Sequence, residues 1–553
     1  PAASLLRTGG LTSQRPGTNT WRSRPARAAM ATCHCSEPAQ CLHRALLAPY
    51  PRLQDRKRTK VPAGDGVLAE VASILCLTAP IVGAGILLYL RSLVSMVFLG
   101  RLGQLPLAGG SLALGFANIT GYSVLSGLAG GMDPVCGQAF GAGRTDLLRA
   151  ALRRTVVLLL LASVPISVLW VAMHRVLVAT GQDPDIASTA YAYILCSLPD
   201  LAVQSFLHPL RIYLRAQSVT LPLTYAAAAA VLLHVPINFV LVDVLGLGIR
   251  GVALGAVCTN LNFLLFIVAY VCFFGMYGHD EGETKASVAA AEEEGAKEWW
   301  TLVRLSVHSC MSVCLEWWWY EIMVLLCGVL ADPKAAVAAM GVLIQTTSLI
   351  YIFPHSLGCA VSTRVGHELG ARRPERARLV ARVGLGLGAV LGLVACAFAV
   401  SVRGVWARMF TADDAILRLT AAALPLLGLA ELGNCPQTTG CGVLRGSARP
   451  EKAARINVSA FYGVGMPVAL LLAFRPGRLD FRGMWGGMLA AQLVCAALML
   501  RAVVATDWEE QTERARELTG GNAGDVVDGG KRKHAEAAKA DADNSSLVLA
   551  DCV

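Results

Sequence analysis

Four carboxylates, Asp200, Glu316, Glu321 and Glu431, stand inside otherwise apolar runs, and Asp133 lies near the end of another. Holding an ionised carboxylate at the centre of a bilayer costs about 2.5–3.5 kcal/mol on insertion scales. In low dielectric such a group can bind a proton and release it when its surroundings change. The alternative for each is a paired structural group or a helix-end residue. Tyr320 follows Glu316 at i+4, on the same helix face and within hydrogen-bonding reach. Glu321 is roughly 140° further round, so the two cannot line one cavity equally. Glu431, Asn434 and Thr438 follow i, i+3, i+7 spacing and form one polar stripe. Pro436 interrupts the backbone ladder beside them and frees carbonyls. Asp200, Gln204 and His208 make a second row at i, i+4, i+8. The expected proton-coupling groups are therefore Glu316, Glu431 and Asp200. The expected substrate cavity holds Asn434, Tyr320, Gln345, Thr438, Gln204 and Asn118, with Thr346 beside Gln345.

Other patterns imitate chemistry without its context. Cys33, His34, Cys35, Cys41 and His43 have metal-like spacing but no second paired half. Gly384-Leu-Gly-Leu-Gly388 lacks the strand–turn–helix setting of a dinucleotide loop, and close helix packing explains it better. Asp413-Asp414 lies in a loop without an Asp-rich helical repeat, and no His/Asp acyl-transfer pair is evident. An intramembrane enzyme is thus disfavoured. Trp317-Trp-Trp-Tyr320 could stack an aromatic solute, although packing and interfacial anchoring account for most such runs. His355, after Phe353-Pro354, is read as local polarity. No cofactor and no metal are expected.

The elements that must hold these groups are long and apolar. Of 553 residues 55% are hydrophobic and only 16% charged, where a soluble domain carries about 25% charged residues; the mean hydropathy is +0.54. Runs of around 20 apolar residues cross a hydrocarbon core of roughly 30 Å as helices, which satisfy their own backbone. Twelve spans are predicted, beginning near Val67, Leu107, Ala150, Ser188, Val219, Gly251, Trp299, Val337, Arg382, Leu417, Asn457 and Met484. The net charge of +10 is spread over helix ends and the N-terminal tail, which speaks for topology and against a nucleic-acid footprint. Arg144, Arg149, Arg153 and Arg154 follow the second span; Arg364, Arg372, Arg373, Arg376 and Arg378 lie at and after the end of the eighth. These even-numbered loops mark the cytosolic side, so both termini are expected there. The loop after the eleventh span, with Arg475, Arg478 and Arg482, is an exception. Residues 1–65 read as a disordered basic tail in which Met30 is a possible start. Residues 277–298 read as an acidic cytosolic linker, and 507–553 as a disordered or loosely helical cytosolic tail.

The halves repeat. Gly137-Gln-Ala-Phe-Gly141 parallels Gly366-His-Glu-Leu-Gly370 at an offset of 229, Leu214-Arg215 parallels Leu444-Arg445 at 230, Pro236 parallels Pro467 at 231, and Arg250-Gly251 parallels Arg482-Gly483 at 232. Six spans per repeat give both halves one orientation, hence parallel repeats about an axis along the membrane normal. The lobes are residues 66–276 and 299–506.

With these landmarks in order, the chain resembles plant members of the multidrug and toxic compound extrusion (MATE) family. The carrying residues are Phe98-Leu-Gly-Arg-Leu-Gly103, Leu107-Ala-Gly-Gly-Ser-Leu-Ala-Leu-Gly-Phe-Ala-Asn118, Cys136-Gly-Gln-Ala-Phe-Gly141, Cys314-Leu-Glu-Trp317, Arg364-Val-Gly-His-Glu-Leu-Gly370 and Gly440-Cys-Gly-Val-Leu-Arg-Gly446. They cover roughly residues 65–505. The resemblance implies two rocking six-helix lobes and export from the cytosol against inward H⁺ or, in some branches, Na⁺. It implies that Glu316 is the coupling carboxylate. It also implies an aspartate eleven residues before Arg445, where this chain has Asn434; Asn does not titrate, so a two-carboxylate scheme needs Glu431 as replacement.

The expectation is an all-α membrane protein of the MATE fold, with twelve transmembrane helices in two pseudo-symmetric lobes, acting as a monomeric H⁺ antiporter for small organic solutes. Plasma, vacuolar and endosomal membranes all suit it. A voltage-driven organic-anion facilitator is the nearest alternative, and a transporter-fold sensor or scaffold belongs to another class.

Overall fold

The computed structural model describes residues 66–273, 288–475 and 479–520. The Cys33–His43 cluster, Met30 and most of both tails lie outside them. Among the described residues, twelve helices are long and apolar enough to span a membrane. They are α1 (Gly66–Arg101), α2 (Gln104–Gly141), α3 (Thr145–Val171), α4 (Pro184–Ala216), α5 (Leu221–Val244), α6 (Ile249–Phe273), α7 (Val288–Cys327), α8 (Pro333–Gly370), α9 (Pro374–Val402), α10 (Asp414–Gly446), α11 (Pro450–Phe474) and α12 (Phe481–Val504). A further helix, α13, spans Trp508–Leu518.

Local chemistry sets the starts. Asp183, Asp332, Asp413 and Asp507 each accept backbone N–H groups at the first turn of α4, α8, α10 and α13, which satisfies donors that helix geometry leaves orphaned. Proline stands in the first turn of α4, α5, α8, α9 and α11, where its missing N–H costs nothing. The helices mostly begin a few residues before the expected positions, because these capped turns precede the apolar run. Wider π-helical turns interrupt α2 at Asn118–Tyr122 and α11 at Val458–Gly465, and one closes α5 at Val240–Val244.

Two of these regions differ from the sequence reading. Residues 288–298, assigned to a linker, are the first turns of α7, and Glu298 forms an ion pair with Arg154 of α3. Residues 508–518, assigned to a disordered or loosely helical tail, form a docked helix. Trp508 and Ala515 are buried in an apolar cluster with Leu357, Val361, Ala377 and Val503, and Arg144 donates to the Thr519 carbonyl at 3.0 Å. The high charge of this segment hid an amphipathic face.

One apolar core joins α1–α6 with Leu302 of α7, another joins α7–α12, and a third packs Ile74 and Leu77 of α1 against α8, α9, α10, α12 and α13; the fold is two six-helix lobes. The repeat extends into the backbone. Gly143 and Arg372, 229 apart, have φ of 75° and 57°; Ser218 and Ala448, 230 apart, have 62° and 56°. In each pair a six-residue backbone bond closes the helix end, from Arg144 to Ala139, Arg373 to Glu368, Val219 to Leu214 and Arg449 to Leu444. These are left-handed helix terminations of one kind. Both α4 and α10 also carry two internal prolines, Pro199 and Pro209 against Pro425 and Pro436.

Candidate functional site

In the second lobe, α7 and α10 bring two carboxylates into one polar cluster. Glu316 is 7% exposed and Glu431 2%. Gln437 hydrogen-bonds Glu316, and His355 and Arg445 lie within electrostatic reach of it. Tyr320, one turn beyond Glu316, interacts with both carboxylates. Asn434 Nδ2 donates to Glu431 Oε2 at 2.8 Å, and Thr438 Oγ1 donates to Asn434 Oδ1 at 3.3 Å and Gln437 Oε1 at 3.2 Å. The stripe predicted on α10 is thus a continuous hydrogen-bonded chain, and Gln437, absent from the sequence reading, links it to Glu316. Glu321 is half-buried, and the described hydrogen bonds leave it out of the cluster.

The first lobe has its own buried acid. Asp200, 2% exposed, accepts from Asn260 Nδ2 at 2.9 and 3.0 Å and from Gln204 Nε2 at 3.4 Å. Tyr122 also bonds it, and Arg91 supplies a nearby positive charge. Spacing alone found Asp200 and Gln204 but not the partners from α1, α2 and α6. His208, at i+8 on the same helix, has Arg211 within electrostatic reach. A separate set ties His234 to Ser95 at 3.0 Å and Thr259 at 2.7 Å, joining α5 to α1 and α6.

The remaining cavity candidates are scattered. Asn118 begins the π-helical turn of α2 and is half-buried. Gln345 is exposed, and its carbonyl accepts from Tyr89 of the other lobe at 3.4 Å. Thr346 is fully buried and accepts from Trp406 Nε1 at 2.8 Å; it packs inside the lobe rather than lining a cavity. Of the aromatic run, Trp317 and Trp318 are exposed, while Trp319 is buried against Met488 and Phe461.

The lobes meet toward the end that carries the loops after α2, α4, α8 and α10, here called the even-loop end. The two matched glycine motifs cross there: a Cβ on Gly137 would stand 3.3 Å from Gly366 Cα, one on Gly141 2.2 Å from the His367 carbonyl oxygen, and one on Gly370 2.0 Å from that of Gln138. At the two carbonyl contacts there is room only for glycine. Gln138 Nε2 donates to the Gly446 carbonyl at 3.0 Å, and His367 Nε2 lies 2.7 Å from that of Ala216; these are the same contact related by the repeat. Asp133 pairs with Arg215 of its own lobe and, at 3.3 Å, with Arg445 of the other. Arg364 reaches Glu70 of α1 at 2.8 Å and Glu368 at 3.0 Å. Asp133, a coupling candidate by position alone, is therefore a structural ion-pair partner. The described inter-lobe hydrogen bonds farthest from this end are Tyr89–Gln345 and Ile119–Trp318, past the middle of α1 and α7.

Between α2, α7, α8 and α10 lies a cavity of about 60 Å³ whose wall includes Glu316, Tyr351, His355, Thr438 and Arg445. Glu316 accordingly faces the plane between the lobes, and not lipid.

The MatE family model matches residues 80–240 and 309–471, one segment in each lobe. Protein DETOXIFICATION 49 of Arabidopsis thaliana is 57% identical over 464 residues, covering 84% of this chain and 91% of that one. Protein DETOXIFICATION 52 of the same plant is 56% identical, covering 83% and 89%. Among solved structures, the eukaryotic MATE transporter AtDTX14 superposes with a TM-score of 0.75 at 31% identity, over 82% of this chain and 100% of that one.

Proposed function

The chain belongs to the MATE family of membrane efflux transporters, and from that premise we propose that it exports small organic molecules from the cytosol by antiport with H⁺. Protonation of Glu316 from the outside biases the lobes and displaces the solute. Deprotonation toward the cytosol resets the cycle. Glu431 is the second carboxylate, held by Asn434, and Asp200 is a further titratable group in the first lobe. Tyr320, Thr438, Gln204, Asn118 and Gln345 contact the solute as the cleft opens. The basic even-loop end is cytosolic, as are both termini, which makes the described state closed toward the cytosol. The protein works as a monomer in the plasma membrane or a vacuolar or endosomal membrane, with the proton as its coupling ion and no cofactor.

The observation that carries this reading is the proximity of Glu316 and Glu431, two buried acids within electrostatic reach of each other and of Tyr320, with Glu316 on the wall of the inter-lobe cavity. A carboxylate there changes its charge most readily when the cavity changes its access to water. The test is flux in oriented proteoliposomes under an imposed pH gradient, with a panel of organic cations, anions and hormones. Wild-type protein should show gradient-driven export of at least one class, and Glu316→Gln should abolish it. Full gradient-driven export by that variant would sink the proposal. Two observations keep a second reading: Asn434 stands where a titratable partner is expected, and Arg91 lies within electrostatic reach of Asp200. A voltage-driven organic-anion facilitator would use such positive charge and would carry current without a pH gradient.

A further inference from the structure

The 60 Å³ cavity beside Glu316 is too small for an organic molecule and suits a few waters. The polar groups on its wall, Glu316, Tyr351, His355, Ser312, Thr438 and Arg445, are the kind of partners that hold buried water. Its wall starts at Glu316, passes Tyr351, His355 and Ser312, and reaches Arg445, whose guanidinium shares Asp133 with Arg215 at the lobe closure. The cavity therefore connects the buried acid with the closed even-loop end.

His355 is the imidazole on that wall. It is stacked on Tyr351 with ring centroids 5.4 Å apart, and its Nε2 lies 3.7 Å from Cys359 Sγ, one turn nearer the even-loop end. The other titratable and charged groups facing this region are Glu316 and Tyr320 on α7, Glu431, Cys441 and Arg445 on α10, Tyr351 and Cys359 on α8, Asp133 on α2 and Arg215 on α4. Of these groups an imidazole alone offers one nitrogen that accepts a proton and a second that donates one, which is what passing a proton along a line of groups requires.

We propose that His355 is the proton relay between Glu316 and the even-loop side, acting through the water of this cavity. The inference rests on Glu316 being the coupling group. In the step, the carboxylic acid of Glu316 gives its proton to an imidazole nitrogen of His355, directly or through one cavity water. Glu316 is left as carboxylate and His355 as imidazolium. The imidazolium then passes a proton to water on the even-loop side and returns to neutral imidazole, so one proton moves and no other bond changes. The Arg445–Asp133–Arg215 closure caps the exit, and its opening exposes the relay.

The test uses the full chain in vesicles, with pyranine on the even-loop side reading proton release after a stopped-flow pH jump. His355→Asn and His355→Gln should each slow release by about tenfold or more, while the number of protons released at equilibrium stays unchanged. Free imidazole should restore the rate. Release at the wild-type rate by either variant overturns the relay, and so does slow release that imidazole does not restore, since that marks a packing defect. Glu316→Gln separates the two claims: if it releases as many protons as wild type, the assignment of Glu316 fails, whatever the His355 variants do.

Discussion

Asn434 holds Glu431 on one side and Thr438 on the other, so its value lies in placing a carboxylate rather than in titrating. Asn434→Leu removes that donor and leaves a buried acid with the weaker Cys435 thiol contact at 3.7 Å. Transport should fall by about tenfold or more in the flux assay, since an unpaired buried polar group costs about 1–3 kcal/mol. Asp133 makes a different prediction. Asp133→Ala leaves Arg215 and Arg445 facing each other inside the closure, and breaking such a pair costs about 3–5 kcal/mol. Thermal unfolding in detergent would measure the loss, and Arg445→Ala combined with Asp133→Ala should cost less than the two changes summed. At this scale the sequence disclosed what one helix can disclose. Glu431, Asn434 and Thr438 were legible because helical periodicity puts them on one face. Asn260, Tyr122 and Arg91 around Asp200 were not, because they arrive from three other helices and no spacing within α4 encodes them.

At the scale of elements, the crossing of α2 and α8 depends on residues with no side chain. Gly141→Ala would place a methyl carbon 2.2 Å from the His367 carbonyl oxygen, a backbone atom that cannot swing away. The lobes should then fail to close at the even-loop end; spin labels across that end should report longer distances, with far-ultraviolet circular dichroism unchanged. The glycine repeat was visible in the sequence, but its meaning was not: matched motifs say that two segments are equivalent, not that they touch. The docking of α13 was illegible for a related reason. Its charged composition looked like a solvated tail, while Trp508 and Ala515 found an apolar seat offered by α8, α9 and α12. Trp508→Ala should lower thermal stability by about 3–5 kcal/mol, the usual range for emptying a buried aromatic site.

For the whole molecule, the number of spans and their division into two lobes followed from hydropathy and the repeat, because both are set by long segments whose average character survives local error. Which end is shut did not follow, since alternating access requires a sequence to permit either state. The close approach of Gly370 to Ala142 gives a direct check: Ala142→Cys and Ala371→Cys put thiols on either side of it, and a short reducible bifunctional thiol reagent joining them should arrest transport, with activity returning on reduction. Unimpeded transport in the cross-linked protein would mean that the lobes do not part here during the cycle.

Duplication has left one inequality. Transposed by the same 229 positions, Asp133 falls on Ser362, a buried residue whose hydroxyl lacks a hydrogen-bond partner in the structure. Two inherited arginines thus share a single acid. A clasp with a surplus cation is easier to pull apart than a balanced one, which suits a machine that must let go in every cycle. Supplying the missing counter-charge with Ser362→Asp should make the clasp symmetrical and too firm, slowing turnover while raising the melting temperature.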